Sequence, residues 1–119
     1  MRDKRAVGRK YEEIAANYLR SIGYKIICMN YTARYGEIDI IAEDSGTTVF
    51  VEVKYRASSA YGSPAEAVSL SKRRRILAAA RCFAAANHLY DSSLRFDVIE
   101  FSGRKIRHTA DAFFAEGSL

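Results

Sequence analysis

Residues 36–54 read GEIDIIAEDSGTTVFVEVK, and the fold turns on this stretch. Residues 36–42 and 48–54 are two runs of Ile, Val and Phe separated by Glu43-Asp44-Ser45-Gly46-Thr47. β-Branched and aromatic residues on either side of a Ser-Gly centre spell a hairpin. With Ser45 and Gly46 in the middle of the turn, Asp39 faces Glu52, Glu37 faces Lys54 and Ile41 faces Phe50. Side chains alternate along a strand, so these six share one face. The opposite face pairs Ile38 with Val53, Ile40 with Val51 and Ala42 with Val49; it is wholly apolar and must pack on a core.

The first face is apolar beside the turn and charged at its open end. Directly opposed, Asp39 and Glu52 have Cβ atoms roughly 4.5–5.5 Å apart. Two ionised carboxylates so placed repel unless one takes a proton or a cation sits between them. A hard ion such as Mg²⁺, held by one or two carboxylates with waters and phosphate oxygens, suits the pair. Lys54 projects from the same face about 6.5–7 Å along the strand from Glu52. There it can orient a water or balance charge on a phosphate. The same pattern also describes the wet side of an ordinary sheet, with Glu37 and Lys54 as a cross-strand ion pair. A register slip of one residue would send Asp39 and Glu52 to opposite faces.

Working outward, Val7, Tyr11, Ile14, Ala15, Tyr18, Leu19 and Ile22 space an amphipathic helix over 6–22, with Gly23 as its stop. On that wheel Glu12 lies roughly 100° from the centre of the apolar stripe and Glu13 roughly 160°. Glu12 is therefore the acid able to lean toward the sheet. Residues 24–30 read as a strand, Tyr55–Gly62 as a loop, and Pro64 opens a short helix over 64–69. Ser71 is the expected N-cap of a helix over 72–87 with Ile76, Ala80, Phe83 and Ala84 inward. Residues 94–101 alternate as a strand, and 104–110 add an edge strand. Arg95 is expected to cap a strand or pair with a nearby acid, Asp97 among the candidates. The order of elements is an α/β pattern with a mixed sheet.

The chain has 119 residues, 49% of them apolar, enough for a core and unlike a disordered segment. We expect one domain over 1–119, with a basic N-terminal arm at about 1–8. No apolar run approaches the ~18 residues of a spanning helix. The opening MRDKRAVGRK has no apolar signal-peptide core, so a cytoplasmic protein is expected. Cys28 and Cys82 are far apart and form no CxxC, which points to two free thiols, and His88 and His108 have no metal spacing. Lys and Arg exceed Asp and Glu by 19 to 14, and the excess is clustered. Arg2, Lys4, Arg5, Arg9 and Lys10 stand against Asp3 alone, Lys72-Arg73-Arg74-Arg75 form a second run, and Arg56 follows the hairpin. Such clusters attract phosphate backbones, though a solvated surface uses them equally well. Arg5, Arg9, Lys10, Arg56, Lys72 and Arg73 are the candidate DNA contacts.

Glu12 with Ala15, then Gly36-Glu37-Ile38-Asp39-Ile40-Ile41-Ala42, Phe50-Val51-Glu52-Val53-Lys54 and Arg95-Phe96-Asp97-Val98 closely resemble the YraN-like bacterial family. That family is similar to the PD-(D/E)xK, or restriction-endonuclease-like, nucleases and to archaeal Holliday junction resolvases. The resemblance runs over roughly residues 8–114. It implies a three-layer α/β fold with a central mixed sheet flanked by helices. It implies Asp39, Glu52 and Glu12 as ligands of Mg²⁺ or Mn²⁺, with Lys54 as the catalytic lysine beside them. Ile38 stands where the superfamily motif has its proline. The function implied is a metal-dependent endonuclease acting on DNA, structured or branched because no base-reading element is recognisable, and a homodimer because resolvase-like relatives act as dimers. A non-catalytic nucleic-acid-binding module that keeps the fold is the alternative, and a protein-interaction domain is a weaker third.

Overall fold

The computed structural model describes residues 4–56, 67–89 and 91–113. Its elements are α1 (Lys4–Ser21), β1 (Lys25–Ala33), β2 (Gly36–Asp44), β3 (Thr47–Arg56), α2 (Leu70–Ala86), β4 (Leu94–Ser102) and β5 (Lys105–Thr109). The strands form a single sheet in the order β1-β2-β3-β4-β5. Only β3 and β4 run parallel, joined by the crossover through α2; the other neighbours are antiparallel. This is the mixed sheet expected.

The central hairpin closes as its turn chemistry requires. Ser45 and Gly46 have φ of 48° and 88°, and Asp44 pairs with Thr47 across them. Two positive φ values make the type I′ turn whose twist matches that of the strands. The ladder runs in the expected register, through Ala42 with Val49 and Ile41 with Phe50, to Ile40 with Val51.

Both helices end where side chains or backbone meet their free polar groups. At the end of α1, Gly23 has φ of 97°, its N–H donates to Arg20 at 3.1 Å, and Tyr24 N–H donates to Leu19 at 2.9 Å. These are the two bonds of a Schellman cap. α2 starts two residues before its expected position. Its N-cap is Ser69, not Ser71, because the Ser69 hydroxyl accepts from Lys72 N–H at 3.2 Å. Residues 4–8, expected within a basic arm, are from Lys4 onward part of α1. The expected loop at Tyr55–Gly62 is strand through Arg56, and its remainder lies outside the described residues, as do residues 64–66 of the expected short helix.

Two apolar layers sandwich the sheet. Ile76, Ala79, Ala80 and Phe83 of α2 pack with Ile41, Phe50, Phe96 and Val98. Ala15, Ala16 and Leu19 of α1 pack with Ile40, Val49, Val51 and Ile99. Helix, sheet and helix make three layers. Cys28 and Cys82 are free thiols.

Each face of β4 also buries an acid. Asp97 accepts from Arg95 Nε at 2.9 Å and from Asp111 N–H at 3.0 Å, with His108 Nε2 at 2.7 Å. Arg95 reaches Asp44 and the Tyr24 hydroxyl as well, the pairing expected of it. Glu100 is held by Arg56 Nε at 2.8 Å and Arg107 Nη2 at 2.6 Å. A buried carboxylate is tolerable only when so satisfied, and these two tie β3 and β5 to β4.

Candidate functional site

The site begins where the hairpin ladder stops. Beyond Ile40 and Val51 no residues of β2 and β3 are paired. Instead Asp39 Oδ2 accepts a hydrogen bond from Val53 N–H at 2.8 Å. A side-chain carboxylate takes the place of a backbone carbonyl as the acceptor, and the backbone ladder ends there. β2 also turns over here. Ile40 packs on the α1 side, whereas Ile38 packs with Ile41 and Phe50 on the α2 side. In a regular strand residues two apart share a face, so Asp39 marks a kink. Asn30 of β1 lies opposite, between the pairs Met29–Ile40 and Tyr31–Ile38, with φ of 52°.

This corrects the uniform register expected from the sequence. Ile38 does not share the α1-side layer with Val53, and Glu37 does not face Lys54; Glu37 pairs with Thr32 of β1. The reason is the Asp39 carboxylate, which captures the Val53 N–H and ends the ladder early. Even so, Asp39 and Glu52 converge: both carboxyls line one cleft, and the charge of Asp39 raises the Glu52 carboxyl.

Glu12 and Lys72 join that pair, so four charged groups from four elements meet. Glu52 of β3 is 5% exposed, and the Lys72 ammonium in the first turn of α2 forms an ion pair with its Oε1. Glu12 of α1 lines the same cleft of about 410 Å³, together with Asp39, Glu52 and Lys72. Asn30 hydrogen-bonds the Glu12 carboxylate, while Glu12 Oε1 is buried with no hydrogen-bond partner among the described residues. One wall is aromatic: the rings of Tyr11 and Tyr55 stack with centroids 4.5 Å apart.

The electrostatics follow from crowding acids out of water. Burial, then the charge of Asp39, pushes the Glu52 carboxyl up to about 7 against the pull of Lys72. Burial also raises Asp39, opposed by the Val53 N–H and by Lys72. Glu12 is raised by burial and then by Asp39. Burial works against the charge on Lys72, but Glu52, Asp39 and Glu37 outweigh it and its pKa rises. Two adjacent buried carboxyls disfavour each other's charge, so the site holds its second negative charge less readily than a solvated pair would.

The other residues expected at the site are distributed unevenly. Lys54 is half-buried, does not line the cleft, and makes no ion pair among the described residues. Arg5, Arg9 and Lys10 are exposed on α1, whose Val7, Gly8, Tyr11 and Glu12 line the cleft. Arg56 is committed to Glu100. Arg73 donates from Nε to the Val68 carbonyl at 3.0 Å and lies 5.4 Å over the Phe113 ring, so it anchors the start of α2. Sequence reasoning missed Asn30 and the Tyr11–Tyr55 wall. An Asn inside an apolar strand is itself a signal, because Asn tolerates the left-handed backbone better than its neighbours.

The donor set fits a hard divalent cation in an open site. Two touching carboxyls are short of positive charge, and a third acid presents an unbonded buried oxygen. Among the described residues no three His, Cys, Asp or Glu side chains are placed to hold an ion by themselves. Waters and substrate oxygens would have to complete its shell, as Mg²⁺ ordinarily requires.

Comparison with known proteins agrees with this architecture. The chain resembles the structure of Hjc, a Holliday junction resolvase from the archaeal hyperthermophile Archaeoglobus fulgidus, with a TM-score of 0.58 over 86% of this chain and 75% of that one. At 19% identity this is a likeness of fold, the restriction-endonuclease-like fold. Among the described residues no helix is long and apolar enough to cross a membrane. A UPF0102 protein of Sulfurihydrogenibium sp. (strain YO3AOP1) is 43% identical over 96% of this chain and 99% of its own. One from Lachnoclostridium phytofermentans is 44% identical over 98% and 99%. Residues 11–101 match the family as a whole, and the chain therefore belongs to the uncharacterised protein family UPF0102, the YraN-like family that its motifs resemble.

Proposed function

We propose that the protein is an endonuclease dependent on Mg²⁺ or Mn²⁺ that hydrolyses phosphodiester bonds in structured DNA. The observation that carries this reading is the meeting of Asp39, Glu52, Glu12 and Lys72 where β2 and β3 part. Asp39 and Glu52 would hold the ion, with Glu12 Oε1 reaching it directly or through water. A bound divalent ion polarises a phosphate and lowers the pKa of its water.

The protein's own groups do the rest. Val53 N–H fixes the Asp39 carboxylate, so its free oxygen has a defined direction. Lys72 pairs with Glu52 and would meet a phosphate oxygen once that carboxylate is engaged by the ion. Lys54, on the same strand two residues from Glu52 and without an ion-pair partner among the described residues, supplies a second ammonium for charge developing on the phosphate. Arg9 and Lys10, exposed beside the cleft, grip flanking phosphates and so give position without sequence.

One observation favours a second reading. Lys72 already compensates Glu52, as suits a nucleic-acid-binding module that keeps the fold without catalysis. The deciding experiment incubates labelled linear, forked and four-way DNAs with Mg²⁺ or Mn²⁺ beside Asp39→Asn. Nicking by the wild type that vanishes in Asp39→Asn, with DNA binding retained, is expected. Binding without nicking in either protein selects the module.

A further inference from the structure

Beside the acidic cleft lies a second one, of about 390 Å³, between the β1–β2 turn and α2. Tyr35, Gly36 and Glu37 line it from the β1–β2 turn and the start of β2, and Arg75 and Ile76 line it from α2. Lys72 lines both clefts, so they are neighbours on either side of its side chain. Tyr35 sits in the two-residue turn between the paired Ala33 and Gly36 and is 65% exposed. An aromatic ring held so far into water has no packing role to explain it. The Arg34 guanidinium lies 5.2 Å from the centre of one ring face, and Arg75 is exposed on the helix across the cleft.

Resting on the nuclease reading above, we infer that Tyr35 is a stacking platform for an unpaired nucleobase of the bound strand, making the substrate a nucleic acid with a single-stranded or displaced nucleotide near the scissile phosphate. The charges favour a base here over a phosphate. Glu37 in the cleft lining repels an anion but not a neutral ring, whereas Arg34 against the Tyr35 ring and Arg75 across the cleft are cations for the flanking phosphates. A tyrosine face stacks any base, which gives affinity without sequence preference. Within a duplex the base faces are covered, so along a strand only an unpaired or junction nucleotide can present one.

The spacing suits one strand crossing both clefts. Gly36 precedes Asp39 by three residues of β2, about 10 Å of extended chain. That is about three base steps of a stacked strand. The position of the platform is fixed closely. A Cβ on Gly36 would come within 2.1 Å of the Arg75 carbonyl oxygen, so turn and helix touch through backbone at this point.

The test uses the full chain in metal-free buffer, where no cleavage intervenes. Probes are a forked DNA carrying 2-aminopurine in its unpaired arm and a blunt duplex of the same length. Wild type and Tyr35→Phe are expected to quench the 2-aminopurine on binding, and Tyr35→Ala to lose the quench and bind the fork about tenfold more weakly, with the blunt duplex unaffected. Melting curves establish that each variant is folded; the exposed turn position makes Tyr35→Ala a mild change. Equal affinity and quenching in wild type and Tyr35→Ala overturn the platform while leaving the nuclease reading standing. Failure of the wild type to bind either DNA overturns both.

Discussion

Asp39 on β2 accepts the backbone N–H of Val53 on β3 at 2.8 Å, one residue beyond Ile40 and two beyond Val51, the last paired positions of their ladder. The bond does two jobs. It satisfies a donor that the ended ladder would leave unpaired, and it holds the Asp39 carboxyl in the cleft that Glu52 also lines. A regular hairpin would have aligned these acids on a flat face. The kink lifts Asp39 out of that face, so that Glu12 of α1 and Lys72 of α2, from opposite layers, line one cleft with it.

Crowding acids in this way works against stability. The folded pKa of Glu52 is raised from 4.5 to about 7. The folded state therefore holds a proton that the unfolded state has released, and stability contributed by this group is lost as pH rises from about 4.5 through 7. Glu52→Gln should remove that loss, leaving the variant more stable than wild type at pH 8 in metal-free buffer by on the order of 2–3 kcal/mol. Urea unfolding of both proteins at pH 5 and pH 8 measures it; an unchanged difference between the two pH values counts against a buried, raised Glu52.

Asp97 behaves in the opposite sense. Burial alone would raise it, but hydrogen bonds from His108, Arg95 and the Asp111 N–H hold it below the usual 3.8. Its stabilisation is present above that value and is lost as pH falls through the lower folded pKa. Asp97→Asn should destabilise the protein by about 3–5 kcal/mol at neutral pH and flatten its acid unfolding below about pH 4. Thermal melts from pH 2 to 7 would record both effects, and an acid limb as steep as that of wild type would contradict them.

Gly36 admits no side chain. A Cβ there would meet the Arg75 backbone at 2.1 Å, and backbone cannot give way as a flexible side chain can. Gly36→Ala must push α2 from β2, at a cost of about 1–3 kcal/mol. Lys72 moves with the helix. A lowered urea midpoint together with weaker Mn²⁺ binding is the expected result, and wild-type values for both would show that the approach is looser than it stands here.

The two lysines should separate in their effects. Lys54→Ala is expected to lower nicking by on the order of 10²–10³-fold with Mn²⁺ affinity unchanged. Lys72→Met removes the charge that competes with a cation for Glu52, so Mn²⁺ should bind it more tightly than wild type. Calorimetry and a nicking assay on both variants distinguish the roles; weaker Mn²⁺ binding by Lys72→Met would mean that its ammonium holds the site together instead.

Much of this was legible in the chain because it rests on local rules. Ser45-Gly46 set the turn, Gly23 stopped α1, and alternation along 36–54 placed the apolar faces near the turn. Glu12, Asp39 and Glu52, singled out by wheel position and strand alternation, line one cleft, though not through the direct pairing of Asp39 with Glu52 that the register implies. What escaped was tertiary. No period in the sequence marks a ladder ended by a side chain, so Ile38 was assigned to the wrong layer and Glu37 to the wrong partner. Ser69 and Ser71 are chemically equal caps, and only the path of the chain entering α2 chooses between them. Lys54 follows Glu52 by two residues and so shares its face, but which ammonium reaches Glu52 depends on where α2 docks, and it is that of Lys72.

The central claim is that Asp39 and Glu52 together form a divalent-cation site. Calorimetric titration of Mn²⁺ into wild type, Asp39→Asn and Glu52→Gln at pH 7.5 tests it most directly. One ion bound per chain by the wild type, with affinity reduced at least tenfold in each variant, is the expected result. Mn²⁺ uptake that is absent from the wild type, or unchanged in both variants, would contradict it.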